Sequence, residues 1–124
     1  MTPSRHMTIR IKNLRLQTII GTYEHERHDK QNVVINVTIE TDGSRSGQSD
    51  DLNDTLNYVV IRDRIVEEVQ TSQYFLLEKL ATRILEIVLE EPKVISATVE
   101  IDKPGALHYA DSVSVSVSGA RGES

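Results

Sequence analysis

Apolar and polar residues alternate in four stretches of this 124-residue chain and recur at helical spacing in two others. The first stretch runs from about Thr8 to Ile20. Ile9 and Ile11 share one face, and Leu14 and Leu16 share a face of opposite parity. That change of phase near Asn13 predicts a bulge or bend inside a long strand. Gly21 ends it, and Thr22-Tyr23-Glu24-His25-Glu26-Arg27-His28-Asp29-Lys30 is a polar, charged loop. A second strand follows, with Val33, Ile35, Val37 and Ile39 on one face and Asn36, Thr38 and Glu40 on the other. The turn formers from Asp42 to Asp51 predict an exposed, mobile connection.

The period then becomes helical. Asn57 is a fitting N-cap for a helix starting near Tyr58, in which Ile61, Ile65 and Val69 recur every fourth residue. Gln70-Thr71-Ser72-Gln73 breaks it. From about Phe75 to Glu90, Leu77, Leu80, Ala81, Ile84, Leu85 and Val88 form one broad apolar face, and Pro92 stops that helix. Two more alternating strands close the chain. Ile95, Ala97, Val99 and Ile101 share a face in one; Val113, Val115 and Val117 alternate with serines in the other. Between them the chain turns at Lys103-Pro104-Gly105. Strand, strand, helix, helix, strand, strand predicts an α+β domain, an antiparallel four-stranded sheet with two helices on one face. The other face is rich in Ser, Thr, Asn and Gln, as a subunit interface or wet barrel interior would be, so a homo-oligomer is expected. The domain is expected over residues 8–118, with 1–7 a disordered lead or tag and 119–124 a flexible tail.

Composition narrows the function. A net charge of -5 argues against a nucleic-acid binder and against docking on an anionic membrane. The absence of cysteine removes disulfides, thiolate nucleophiles and thiolate metal sites, and fits a cytoplasmic setting. No apolar run approaches a membrane span, and residues 1–6 lack the apolar core of a signal peptide.

A few residues remain as candidates for chemistry. Lys103 at its rigid corner is either a solvated turn lysine or a reaction base. Glu78, in the first turn of the second helix, either complements the helix end or accepts a pair of N–H donors from a guanidine-like heterocycle. Tyr58 either packs at the helix mouth or stacks on a planar ligand with its hydroxyl available as an acid. Glu26 in the charged loop reads as solvated. His25, Glu26 and His28 do not have the spacing of a helical metal motif, and no phosphate loop, dinucleotide fingerprint or nucleophile elbow occurs. No metal and no cofactor is expected.

Five segments, taken together and in order, resemble the dihydroneopterin aldolase and dihydroneopterin triphosphate 2'-epimerase family. They are Leu14-Arg15-Leu16-Gln17-Thr18-Ile19-Ile20-Gly21, Glu26 five residues before Gln31, Leu56-Asn57-Tyr58, Leu76-Leu77-Glu78-Lys79-Leu80, and Val99-Glu100-Ile101-Asp102-Lys103-Pro104-Gly105-Ala106-Leu107 running on to Val113. The resemblance spans about residues 8 to 118. It implies the tunnelling fold (T-fold), whose subunits join into a barrel ring, a tetramer or a stacked octamer. It also implies roles. Glu78, with Leu77 and Tyr58, would bind the pterin, and Tyr58 would come from a neighbouring subunit and supply a proton. Lys103 and Glu26 would order a water and manage proton transfer at the side-chain hydroxyls. The implied reaction is a retro-aldol cleavage between C1' and C2', for which the dihydropterin N5=C6 imine is the electron sink, so neither a Schiff-base lysine nor a metal is required. Ile9-Arg10-Ile11-Lys12-Asn13-Leu14, Val34-Ile35-Asn36-Val37-Thr38-Ile39 and Tyr109-Ala110-Asp111-Ser112-Val113-Ser114 look like the epimerase branch. Gly21-Thr22-Tyr23-Glu24-His25-Glu26 and Lys103-Pro104-Gly105-Ala106 look like the aldolase branch. The extent of match favours the triphosphate epimerase, with the aldolase releasing glycolaldehyde as the alternative. Arg27, His28, Lys30 and His108 are candidates to meet a triphosphate. A zinc-dependent T-fold enzyme and a catalytically silent assembly protein are further readings, against which stand the lack of a zinc set and the presence of all four site residues.

Overall fold

The computed structural model describes residues 5–122 of the chain. Strands β1 (His6–Thr18), β2 (Gln31–Asp42), β3 (Val94–Pro104) and β4 (Ser112–Ala120) form one antiparallel sheet in the order β1-β2-β3-β4. Between the hairpins come a single helical turn, α1 (Ser46–Ser49), and two long helices, α2 (Tyr58–Thr71) and α3 (Leu77–Leu89). The long helices cover one sheet face, as the two periodicities predict. Of the expected lead 1–7, residues 1–4 lie outside the described residues, and His6 and Met7 already pair with β2. Of the expected tail 119–124, residues 123–124 lie outside them, and β4 runs to Ala120.

The parity change in β1 has a local cause. Asn13 sits at φ 53°, a left-handed conformation that Asn tolerates better than most residues, and the β1–β2 register shifts between Ile11 and Leu14. The Asn13 N–H donates to Asn36 Oδ1 at 2.9 Å, which fixes the bulge against β2. Ile9, Ile11, Leu14 and Leu16 all therefore pack against the core.

Three expectations need correction. Ile95 does not share a face with Ala97: the β2–β3 register shifts between Glu40 and Thr41, so Val94 is buried and Ile95 is half exposed. The connection after β2 is not simply exposed. Ser44 is buried and bonded to Asp42, and α1 and a short 3₁₀ turn (Leu52–Asp54) order the segment. The second long helix starts at Leu77 rather than Phe75, because Leu76 is still extended at φ -115°, ψ 138°.

The core lies between sheet and helices. Val33, Ile35, Val37, Ile39, Val99 and Ile101 meet Ile65, Val69, Leu80, Ile84 and Val88, all fully buried. Each such side chain contributes about 1.5–3 kcal/mol relative to exposure. The opposite face is polar: Thr98 shares a hydroxyl hydrogen bond of 2.8 Å with Ser118, and Ser116 donates to Glu100 at 3.3 Å. No helix among the described residues is long and apolar enough to cross a membrane.

Candidate active site

The site is built where β1 hands over to β2. Ile20 enters the core, and Gly21 at φ 125° redirects the chain into a 3₁₀ turn over Glu24–Arg27. That turn closes on itself: the Glu26 N–H donates to the Tyr23 carbonyl at 2.9 Å, and the Tyr23 N–H donates to Glu26 Oε1 at 3.1 Å. Glu26 is thereby turned inward and is 8% exposed, not solvated as the charged loop suggested. Gly21 makes room for it, since a Cβ there would overlap the Glu26 carboxyl.

Three donors meet that carboxylate. Besides the Tyr23 amide, Gln31 Nε2 donates to Glu26 Oε2 at 3.1 Å and anchors itself on the Ile20 carbonyl at 2.6 Å. Lys103 Nζ donates to the same Oε2 at 2.5 Å, with the two side chains 12% and 10% exposed. The Lys103 ammonium, ahead of the Tyr23 and Gln31 donors, holds the Glu26 carboxyl down at about 2, although burial works the other way. Lys103 is thus not a turn lysine. It lies in β3 with the parity of Ala97, Val99 and Ile101, so its stem follows the core face and its ammonium emerges beside the loop. That parity was readable; the partner, 77 residues earlier, was indicated only by the family resemblance.

Glu26 and Lys103 form one wall of an open depression of about 280 Å³. Leu77 and Glu78, from the first turn of α3, form another, and Val113 and Val115 of β4 supply an apolar side. No side chain caps α3 at this end. Glu78 is exposed, and among the described residues its carboxylate has no hydrogen-bond partner, which leaves it free to accept from a ligand. Tyr58 does not line this depression; as the first residue of α2 it stands 55% exposed, next to Val59 and Val60. A larger depression of about 530 Å³ lies elsewhere, bordered by Arg15 and Lys30. The smaller one is the better candidate for proton chemistry, because it holds the buried acid–base pair and an unpaired carboxylate together.

Arg27 serves differently from the phosphate contact expected of it. Its guanidinium donates to the carbonyls of Gly21 (3.0 Å), Tyr74 (3.0 Å) and Gln73 (2.5 Å), and it stacks 4.1 Å above the Phe75 ring. It ties the Glu26 loop to the linker that leads into Glu78. No pattern in the sequence distinguished that staple from a surface charge. His25 stacks on Tyr23 with ring centroids 6.0 Å apart, while Glu26 is buried.

Comparison with known proteins finds relatives over most of the chain. The family model described as "FolB: Dihydroneopterin aldolase" matches residues 9–118. Dihydroneopterin triphosphate 2'-epimerase of Escherichia coli K12 is 48% identical over 113 residues, covering 91% of this chain and 94% of that protein. Dihydroneopterin aldolase of the same organism is 30% identical over 105 residues, 85% of this chain and 86% of its own. The crystal structure of the Escherichia coli dihydroneopterin aldolase in complex with neopterin superposes with a TM-score of 0.87 at 27% identity, covering 92% of this chain and 99% of that one. Chain, fold and comparisons together make this protein a member of the dihydroneopterin aldolase (FolB) family.

Proposed function

We propose that this chain is a dihydroneopterin triphosphate 2'-epimerase, acting by acid–base retro-aldol chemistry at C1'–C2'. The observation that carries the reading is the Lys103–Glu26 pair on the wall of a depression that Glu78 also lines. The choice of branch is supported by the 48% identity to the epimerase against 30% to the aldolase.

In this reading the Glu78 carboxylate accepts two N–H bonds from the 2-amino and N3 edge of the pterin, a bidentate pairing that fixes the ring's orientation. Leu77 and the β4 valines pack on the ring. The side chain then reaches the Lys103–Glu26 pair. A proton leaves the 2'-hydroxyl for that pair or for a water it holds, the C1'–C2' bond breaks, and its electrons move into N5=C6. The products are an aldehyde that keeps the triphosphate and an enediamine on the ring. Re-addition to the other face of the aldehyde re-forms the bond with C2' inverted and returns the proton. Protonation of the enediamine instead would complete an aldolase reaction. Tyr58 of a neighbouring protomer would cover the ring and supply that proton. The polar sheet face, the unpaired edges of β1 and β4, and the exposed Tyr58, Val59 and Val60 support a homo-oligomeric ring, tetramer or octamer, with the site shared between protomers. We assign it to the cytoplasm.

The test is incubation with dihydroneopterin triphosphate and, separately, dihydroneopterin, with products separated by chirality. A 2'-epimer of the triphosphate without cleavage is the expected result. Glycolaldehyde as the main product from dihydroneopterin, with no epimer from the triphosphate, would assign the chain to the aldolase reaction.

A further inference from the structure

The depression bordered by Arg15 and Lys30, about 530 Å³, has no part in the acid–base chemistry above, and its lining is distinctive. Its charged residues are Arg15 of β1 and Lys30 at the entry to β2, and no carboxylate borders it. Four other depressions each include at least one: Glu67 and Glu68, Asp50 and Asp51, Glu26 and Glu78, or Asp54. In a chain of net charge -5, whose average field repels anions, a cation-only lining is a local departure.

The cations are also unspent. Among the described residues, neither Arg15 nor Lys30 makes a side-chain hydrogen bond or ion pair, whereas Arg27, Arg64, Arg83 and Lys103 all do. The nearest carboxylate in the strand register is Asp102, opposite Val34, which is itself opposite Arg15. Two strand spacings, roughly 10 Å, separate them. In the lining, Gln17 Nε2 donates to Asn32 Oδ1 at 3.0 Å, which leaves the Asn32 amide N–H groups as further donors. The volume is within the usual range for small-ligand sites.

We propose that this depression is a binding site for a polyphosphate anion. The Arg15 guanidinium offers a planar fork to two phosphate oxygens, Lys30 offers a second point charge in the same lining, and Asn32 adds neutral donors. A single carboxylate would leave one cation unmatched; a chain of phosphates meets both. The depression touches the same chain segments as the catalytic pair at adjoining residues. Pro104 follows Lys103, and Lys30 precedes the Gln31 that holds Glu26. Two sources share this chemistry, the triphosphate arm of the substrate and a free polyphosphate; the first rests on the function proposed above.

Calorimetric titration with inorganic triphosphate at fixed ionic strength tests the site itself. The wild-type chain is expected to bind, more weakly as salt is raised, and Arg15→Gln and Lys30→Gln are each expected to weaken binding by about tenfold. No binding by the wild type, or binding by both variants as tight as the wild type, overturns the proposal whether or not the chain turns over a pterin. Salt dependence of the wild type needs no variant to fold. A second arm assigns the source. If the variants raise KM for dihydroneopterin triphosphate and leave dihydroneopterin unchanged, the site takes the substrate's own arm. If neither KM moves while triphosphate binding is lost, it takes a free polyphosphate.

Discussion

Glu26 shows how a side chain in a charged loop becomes a buried acceptor. Its neighbours in sequence are all polar, so nothing local marks it as different from Glu24. What buries it is a missing Cβ at Gly21, an amide from Tyr23, and two partners supplied by other strands, Gln31 and Lys103. The motif resemblance pointed to this residue; composition and periodicity did not. The arrangement has a measurable consequence in acid. The Glu26 carboxyl sits at about 2 when folded, below its ordinary value of 4.5, so its stabilisation is complete above about pH 4.5 and is lost as pH falls through about 2. Glu26→Gln removes that dependence and leaves Lys103 without its counter-charge. At pH 7 and fixed protein concentration, urea midpoints should show the variant less stable by on the order of 3 kcal/mol. The two curves should then converge between pH 4.5 and 2. A constant gap across that window would show that the Glu26–Lys103 bond contributes no pH-linked stability.

At the scale of elements, the long patterns were legible and the short irregularities were not. The apolar stripe of α3 and the alternation of β2 need only their own residues to be read. The β1 bulge was also readable, because a parity flip leaves a trace on both sides of Asn13. Ile95 misled because its bulge falls at a strand end, where only Val94 lies beyond it to reveal the flip. The start of α3 misled too. Phe75 fits the helical period, but it is held outside the helix under the Arg27 guanidinium. That guanidinium joins two elements that share no strand or helix, the loop of Glu26 and the linker before Glu78. Arg27→Ala deprives the Gly21, Gln73 and Tyr74 carbonyls of a donor and should lower stability by about 2 kcal/mol. Hydrogen exchange should quicken at residues 22–30 and 73–78 and leave β2 and β3 unchanged. Unchanged exchange in both segments would mean that they are held by other contacts.

Across the whole molecule, one protomer brings together three of the four residues that the resemblance singled out. Glu26, Glu78 and Lys103 share a depression; Tyr58 begins α2 and is exposed elsewhere. The polar face, apparent from alternation, and the open edges at β1 and β4, seen only in the structure, are consistent with the proposed ring in which a neighbour supplies the fourth. No sequence pattern could give the depression itself, because it forms between a loop after β1, the start of α3 and the end of β3. In the proposed reaction the Lys103–Glu26 pair breaks and remakes one carbon–carbon bond while Glu78 holds the ring. Its most direct test is the rate of C2' inversion in dihydroneopterin triphosphate, measured side by side for the wild type, Lys103→Ala and Glu78→Gln. We expect inversion by the wild type and a fall of at least about a hundredfold in Lys103→Ala, the scale of a lost general base. Glu78→Gln should lose activity with weakened pterin binding. Full inversion by Lys103→Ala would contradict the account.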